Sequence, residues 1–142
     1  MQHIIYHFEL NTFTLDYQSQ FSDWLSEVAK AEGFELNELN YIFCSDDYLL
    51  EVNQTHLDHD YYTDIITFDY SDKEGLQSDL FISVDRVEDN AKTYKVDFLN
   101  ELARVMVHGL LHLCAYKDKS EAEAKEMRSK EDFYLKKINF LN

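Results

Sequence analysis

The chain has 142 residues, 45% of them apolar and 15% aromatic, and a formal net charge of −15. This length and apolar content fit one domain, residues 1–142, with a buried core, and exclude a disordered chain. The acidic balance argues against strong binding of free nucleic acid. No apolar run is long enough to span a bilayer and the first ten residues lack the layout of a signal peptide, so a cytoplasmic protein with no membrane partner is expected.

Residues 2–9 read as a strand. Ser19–Ala31 reads as a helix with Phe21, Trp24, Leu25 and Val28 on one face and Gly33 as its stop. Leu39–Cys44 is a strand, and Ser45 caps a helix running through Tyr48, Leu49, Val52 and Asn53. Tyr62–Tyr70, rich in β-branched and aromatic residues, is a strand. Residues 71–75 form a turn, and Asp79–Val84 pairs back after it as a hairpin. Asp85, with Glu88 three residues on, predicts the capping box of the next helix. Asp97 opens a further helix, and Ser120 with Glu123 opens the last. The chain contains no proline, and Cys44 and Cys114 form no CxxC pair and read as buried packing residues. The expected fold is α+β, a single compact domain with a small mixed four-stranded sheet and helices packed on it.

The helix opened by Asp97 carries the most informative stretch, His108-Gly-Leu-Leu-His112-Leu-Cys-Ala-Tyr-Lys-Asp118. Two histidines four apart sit about 40° apart around a helix, one turn apart along it. Both imidazoles can therefore reach one metal ion. Leu99, Leu102, Met106, Leu110 and Leu113 form an apolar stripe, with the histidines to one side of it. On a continued helix Asp118 would lie about 9 Å beyond His112, so the helix must end near residues 114–116 for Asp118 to join the pair. Two nitrogens, one carboxylate and an open position suit a catalytic zinc. Asp118 can also be read as a surface turn residue between two lysines, with His56 and His59 as rival third ligands. The residue after the first histidine is Gly109, where a zinc peptidase of the HExxH type needs its glutamate base, which argues against peptide hydrolysis.

The same stretch resembles the signature of the YbeY family, bacterial rRNA maturation endoribonucleases, which reads H-G-x-L-H-L-x-G-Y-D-H. His108, Gly109, Leu111, His112, Leu113 and Tyr116 match; Ala115 replaces a glycine and Asp118 replaces the last histidine. A second block, similar to L-N-x-x-Y-R-x-x-D-x-x-T-D-V-L-S-F, runs from Val52 and Asn53 through Asp60 to Thr63-Asp64-Ile65-Ile66-Thr67-Phe68. A third, similar to G-D-I-x-I-S, is Ser78-Asp79-Leu80-Phe81-Ile82-Ser83. The resemblance implies a zinc-dependent endoribonuclease, one zinc per chain, acting on single-stranded RNA in maturation of the 3′ end of small-subunit rRNA and in ribosome quality control. It also implies partners among small-subunit ribosomal proteins and a ribosome-assembly GTPase. His108, His112 and Asp118 would be the metal ligands.

The family's phosphate-binding arginine falls on Leu57, and its neighbouring tyrosine on His56. His59 and Arg104 are the candidates of suitable chemistry to act in its place. Arg104 lies one turn before His108, and it can equally be a surface ion-pair partner of Glu101 or Asp97. Asp64 can either orient a ligand histidine or close the loop before its strand. Exchanging a histidine for Asp118 lowers the net charge of a zinc site from about +2 to about +1, making the metal a weaker Lewis acid and more tolerant of manganese.

Charge along the chain is uneven: residues 1–100 hold 21 acidic and 5 basic side chains, residues 101–142 hold 7 and 8. Lys117, Lys119, Lys125, Arg128, Lys130, Lys136 and Lys137 form either a phosphate-facing patch or the solvated face of a final helix. A reading from another class also fits, a non-catalytic ribosome-assembly factor whose metal clamps the last two helices.

Overall fold

Side chains alternate across a strand, and in the strand Leu36–Cys44 the two sets meet different neighbours. Leu39, Tyr41 and Phe43 enter the main core, while Cys44 belongs to a smaller cluster with Leu49 and Ile66. The computed structural model of the chain describes residues 3–141. Its elements are β1 (Ile4–Phe8), α1 (Gln18–Ala31), β2 (Leu36–Cys44), α2 (Asp46–Leu57), β3 (Ile65–Asp69), β4 (Leu76–Ser83), α3 (Val84–Tyr94), α4 (Phe98–Leu113) and α5 (Glu121–Leu135). The sheet order is β1-β2-β4-β3, with β1, β2 and β4 parallel and β3 antiparallel to β4. The expected α+β domain with a mixed four-stranded sheet is what the chain forms.

Strand ends differ from expectation where the ladder, not local composition, sets them. β2 begins at Leu36, which pairs with Leu76 of β4, and β3 starts at Ile65 opposite Ile82. The first strand is shorter than residues 2–9, and Gln2 lies outside the described residues. The predicted cap of α3 is corrected. β4 runs directly into the helix, so Ser83 is the N-cap and its Oγ accepts from the Arg86 backbone N–H at 3.1 Å. Asp85 falls in the first turn, and its carboxylate accepts from the Asp46 N–H at 2.8 Å. Ser45 caps α2 and Ser120 with Glu123 forms the capping box of α5, both as expected.

α4 is the helix around which the core closes. Leu102, Ala103, Val105, Met106, Val107, Leu110 and Leu111 are all buried, and each full-sized apolar side chain among them contributes about 1.5–3 kcal/mol. Such a helix is apolar nearly all round because it has neighbours nearly all round. Gly109 lets it sit close to the sheet. A Cβ there would lie 2.7 Å from Leu80 Cδ2, 2.8 Å from Ile65 Cδ1 and 3.3 Å from Thr67 Oγ1. No helix among the described residues is long and apolar enough to cross a membrane.

Candidate metal centre

α4 stops at Leu113, and the way it stops builds the site. Cys114 is the C-cap and Ala115 follows with φ 77°. The Tyr116 N–H donates to Leu111 O and the Ala115 N–H to His112 O, each at 3.0 Å. These are the two bonds of a Schellman motif with alanine in the left-handed position that glycine usually takes. The motif reverses the chain and brings Asp118 back over the last turn.

Asp118 Oδ2 then lies 3.3 Å from His108 Nε2 and 3.3 Å from His112 Nε2, and the two Nε2 atoms are 3.0 Å apart. Donors about 2.0–2.1 Å from a tetrahedral zinc are spaced roughly 3.3–3.4 Å from one another, so the triangle has the right size. The protonation pattern fits as well. His108 Nδ1 faces Glu131 Oε2 at 2.6 Å, and His112 Nδ1 faces the Tyr116 carbonyl at 3.0 Å. Both are acceptors, so each imidazole donates from Nδ1 and turns the Nε2 lone pair inward. Two lone pairs and a carboxylate oxygen converge, an arrangement a cation satisfies. His108, His112 and Asp118 could hold one metal ion, and they are the group of this kind found among the described residues. His56 instead stands edge-on to Phe68, with ring centroids 5.9 Å apart.

Glu131 is the residue that sequence reasoning missed. It is buried on α5, and one oxygen faces His108 while the other accepts from Arg104 Nη1 at 2.8 Å. Arg104 Nη2 donates to Asp132 Oδ1 at 2.7 Å. The ion-pair partners of Arg104 are thus on α5, and not Glu101 or Asp97 as its own helix suggested. Burial disfavours the imidazolium of His108, but the Glu131 hydrogen bond and the charges of Glu131, Asp118 and Asp64 outweigh this and raise its pKa. Asp64 is not hydrogen-bonded to a ligand histidine; its carboxylate accepts from Asn90 at 3.3 Å and its carbonyl from the Ser83 N–H. Burial pushes the Asp64 carboxyl up, and the neighbouring His108 offsets part of that. The signal for Glu131 was its spacing: Met127, Glu131 and Tyr134 form one buried face of α5, a carboxylate on an apolar stripe. α5 is therefore not simply a solvated mixed-charge helix. The Tyr116 carbonyl had no signal in the sequence, being backbone placed by the turn.

Two clefts meet at the metal group. One of about 490 Å³ is lined by His112, Asp118, His59, Tyr61 and Leu57. His59 is exposed there, its Nδ1 3.1 Å from the Tyr61 hydroxyl and its ring stacked on the tyrosine at 5.2 Å. The other, about 440 Å³, is lined by His108, Asp118, Arg104, Arg128 and Tyr94. The structure thus brings Arg104 and His59 to opposite sides of the histidine pair, one in each cleft.

The family model described as Endoribonuclease YbeY matches residues 6–139. The chain is 54% identical over 120 residues to the Endoribonuclease YbeY of Flavobacterium johnsoniae, covering 84% of this chain and 86% of that protein. It is 51% identical over 133 residues to the one of Cytophaga hutchinsonii, covering 92% and 93%. A Thermotoga maritima protein solved in solution superposes with a TM-score of 0.68 at 28% identity, covering 94% of this chain and 87% of that one. The length matched, the identity over it and the shared fold together show that the chain belongs to the YbeY endoribonuclease family.

Proposed function

We propose that this chain is a zinc-dependent endoribonuclease that cuts single-stranded RNA in small-subunit rRNA precursors, in maturing their 3′ end and in ribosome quality control. The convergence of His108 Nε2, His112 Nε2 and Asp118 Oδ2 within 3.3 Å of one another carries the reading. Family membership supports RNA as substrate. A zinc ion held there would acidify a water and polarise a phosphoryl oxygen.

The protein's own groups supply the rest. Glu131 and the Tyr116 carbonyl fix both imidazole tautomers. Arg104 braces Glu131 at the wall of the cleft beside His108 and so acts on the site through that carboxylate, its own charge being balanced by Glu131 and Asp132. His59, exposed in the opposite cleft, would exchange a proton with an attacking or leaving oxygen. The attacking group is the 2′-hydroxyl of the RNA or an activated water. With a charge of −15 the protein gains from docking onto the ribosome, in the cytoplasm, through small-subunit ribosomal proteins or an assembly GTPase.

The test is cleavage of a single-stranded RNA spanning the small-subunit 3′ junction by wild-type and His112→Ala, matched for circular dichroism and melting point. Cleavage by wild-type alone supports the proposal; equal cleavage by both overturns it. The acidic surface favours the second reading, an assembly factor with a structural metal clamping α4 to α5. Chelation separates the two: a structural metal takes the fold with it, whereas a catalytic one takes activity and leaves most of the fold.

A further inference from the structure

The cleft on the α5 side does not end at Arg104. A further cavity of about 440 Å³ continues it, and the two share Tyr94, Glu101, Arg104 and Arg128. On its other side the α5-side cleft adjoins the His59-side cleft, the two sharing Asp64, Ile65, His108 and Asp118, so that the three cavities follow one another past the metal group as a groove. A single strand cut at the metal group would need to be held along such a groove.

Its basic groups are all on one side. The His59-side cleft has no lysine or arginine in its lining. On the other side the two arginines differ. Arg104 is largely buried, at 19% side-chain exposure, and both its Nη atoms are taken by Glu131 and Asp132. Arg128 is 56% exposed, and its guanidinium comes no nearer than 3.9 Å to Glu131. Glu131 itself is already engaged by Arg104 and His108. The Arg128 guanidinium stands over the ring of Tyr94, 6.0 Å from its centroid, and Tyr94 is also 56% exposed. An accessible arginine beside an accessible aromatic ring, at the junction of two cavities, has the two groups a nucleotide needs: a donor fork for phosphate and a flat face for a base.

We propose that Tyr94 and Arg128 form a nucleotide subsite next to the cleavage position, Arg128 holding a backbone phosphate and Tyr94 stacking the base. This rests on RNA being the substrate, and it assigns the two sides of the groove different work. Phosphate is gripped between α3 and α5, and the strand leaves over His59 and Tyr61 without a basic contact.

The experiment titrates fluorescently labelled 2′-O-methyl oligouridylate with zinc-loaded protein by anisotropy across a salt series. It compares wild-type, Arg128→Gln, Arg128→Lys, Tyr94→Leu and Lys73→Gln, the last a turn residue lining none of these cavities. Arg128→Gln and Tyr94→Leu should each weaken binding about tenfold. Arg128→Gln should also lower the slope of log affinity against log salt by about 0.7. Tyr94→Leu should leave that slope alone, Arg128→Lys should keep it, and Lys73→Gln should change neither affinity nor slope. Unchanged binding in both groove variants, an equal loss in Lys73→Gln, or no binding by wild-type at low salt would each overturn the subsite. Cleavage of unmodified RNA is scored separately. If it fails while binding depends on Tyr94 and Arg128, the reaction falls and the subsite stands. If it succeeds with KM indifferent to both residues, the subsite falls and the reaction stands.

Discussion

Ala115 sits at φ 77°, where an L residue with a Cβ is strained by about 1–2 kcal/mol. It is exposed, so replacing it removes no core packing. Ala115→Gly relieves the strain and loses about 0.4–1 kcal/mol through the greater freedom of glycine in the unfolded chain. Taking the middle of each range, the expected net gain is about 0.8 kcal/mol, or roughly 2–4 °C in melting temperature for a domain of this size. Gly33 supplies the reciprocal experiment. Its φ is 86° and a Cβ there would meet nothing within 4 Å, so Gly33→Ala should lose a similar net amount, the backbone strain less the unfolded-state entropy gain, with no steric clash added. Both variants are unfolded thermally and in urea with chelator present, so that metal affinity does not enter the comparison. Loss of stability in Ala115→Gly alongside loss in Gly33→Ala would refute the argument, since it would mean that residue 115 is not left-handed and that another turn returns Asp118 to the histidines.

Glu131→Gln keeps the shape of the side chain but removes the charge facing His108 Nδ1 at 2.6 Å; zinc affinity, measured by competition with a chromophoric chelator, should fall about 10–100-fold. Gly109→Val would drive a branched side chain into Leu80, Ile65 and Thr67 and should cost about 1–3 kcal/mol or more in urea unfolding. Burial raises the pKa of the Glu101 carboxyl; Asp64 and Glu131 raise it further and Arg104 and Arg128 oppose them. A raised folded-state pKa means the native protein binds the proton more tightly than the unfolded chain. The stability cost is therefore present above the folded pKa and absent below the ordinary glutamate range. Glu101→Gln should accordingly raise the melting temperature at neutral pH, with the gain shrinking as pH falls through that range; a gain independent of pH would refute the assignment.

Much of this protein is legible along the chain because its signals are local. Hydrophobic period named the helices, serine caps fixed where α2 and α5 start, and the spacing of His108 and His112 placed two donors on one helix face whatever surrounded them. The requirement that the helix end near residues 114–116 for Asp118 to join the pair follows from the same geometry, and the chain meets it with Ala115 in place of a glycine. Local signals failed where a distant partner decided the outcome. Asp85 has the pattern of a cap, but strand pairing carries β4 to Ser83 and gives the cap to that residue. Arg104 has two acids near it on its own helix, yet it bonds to α5, because packing of α4 against α5 puts Glu131 and Asp132 closer to it.

The amino-acid sequence by itself determined the fold class and the helix that carries His108 and His112 on one face. Periodicity and capping along the chain and the four-residue histidine spacing carry these, whereas Asp118 as the third donor rests in sequence on the family resemblance, with His56 and His59 as rivals. Only the tertiary structure decided that a buried glutamate from α5 orients His108, that a turn carbonyl orients His112, and that Arg128 rather than Arg104 is left exposed in the groove. Those facts arise where separate elements meet, and the distance between two side chains 23 residues apart is set by how the helices pack, which no local pattern encodes.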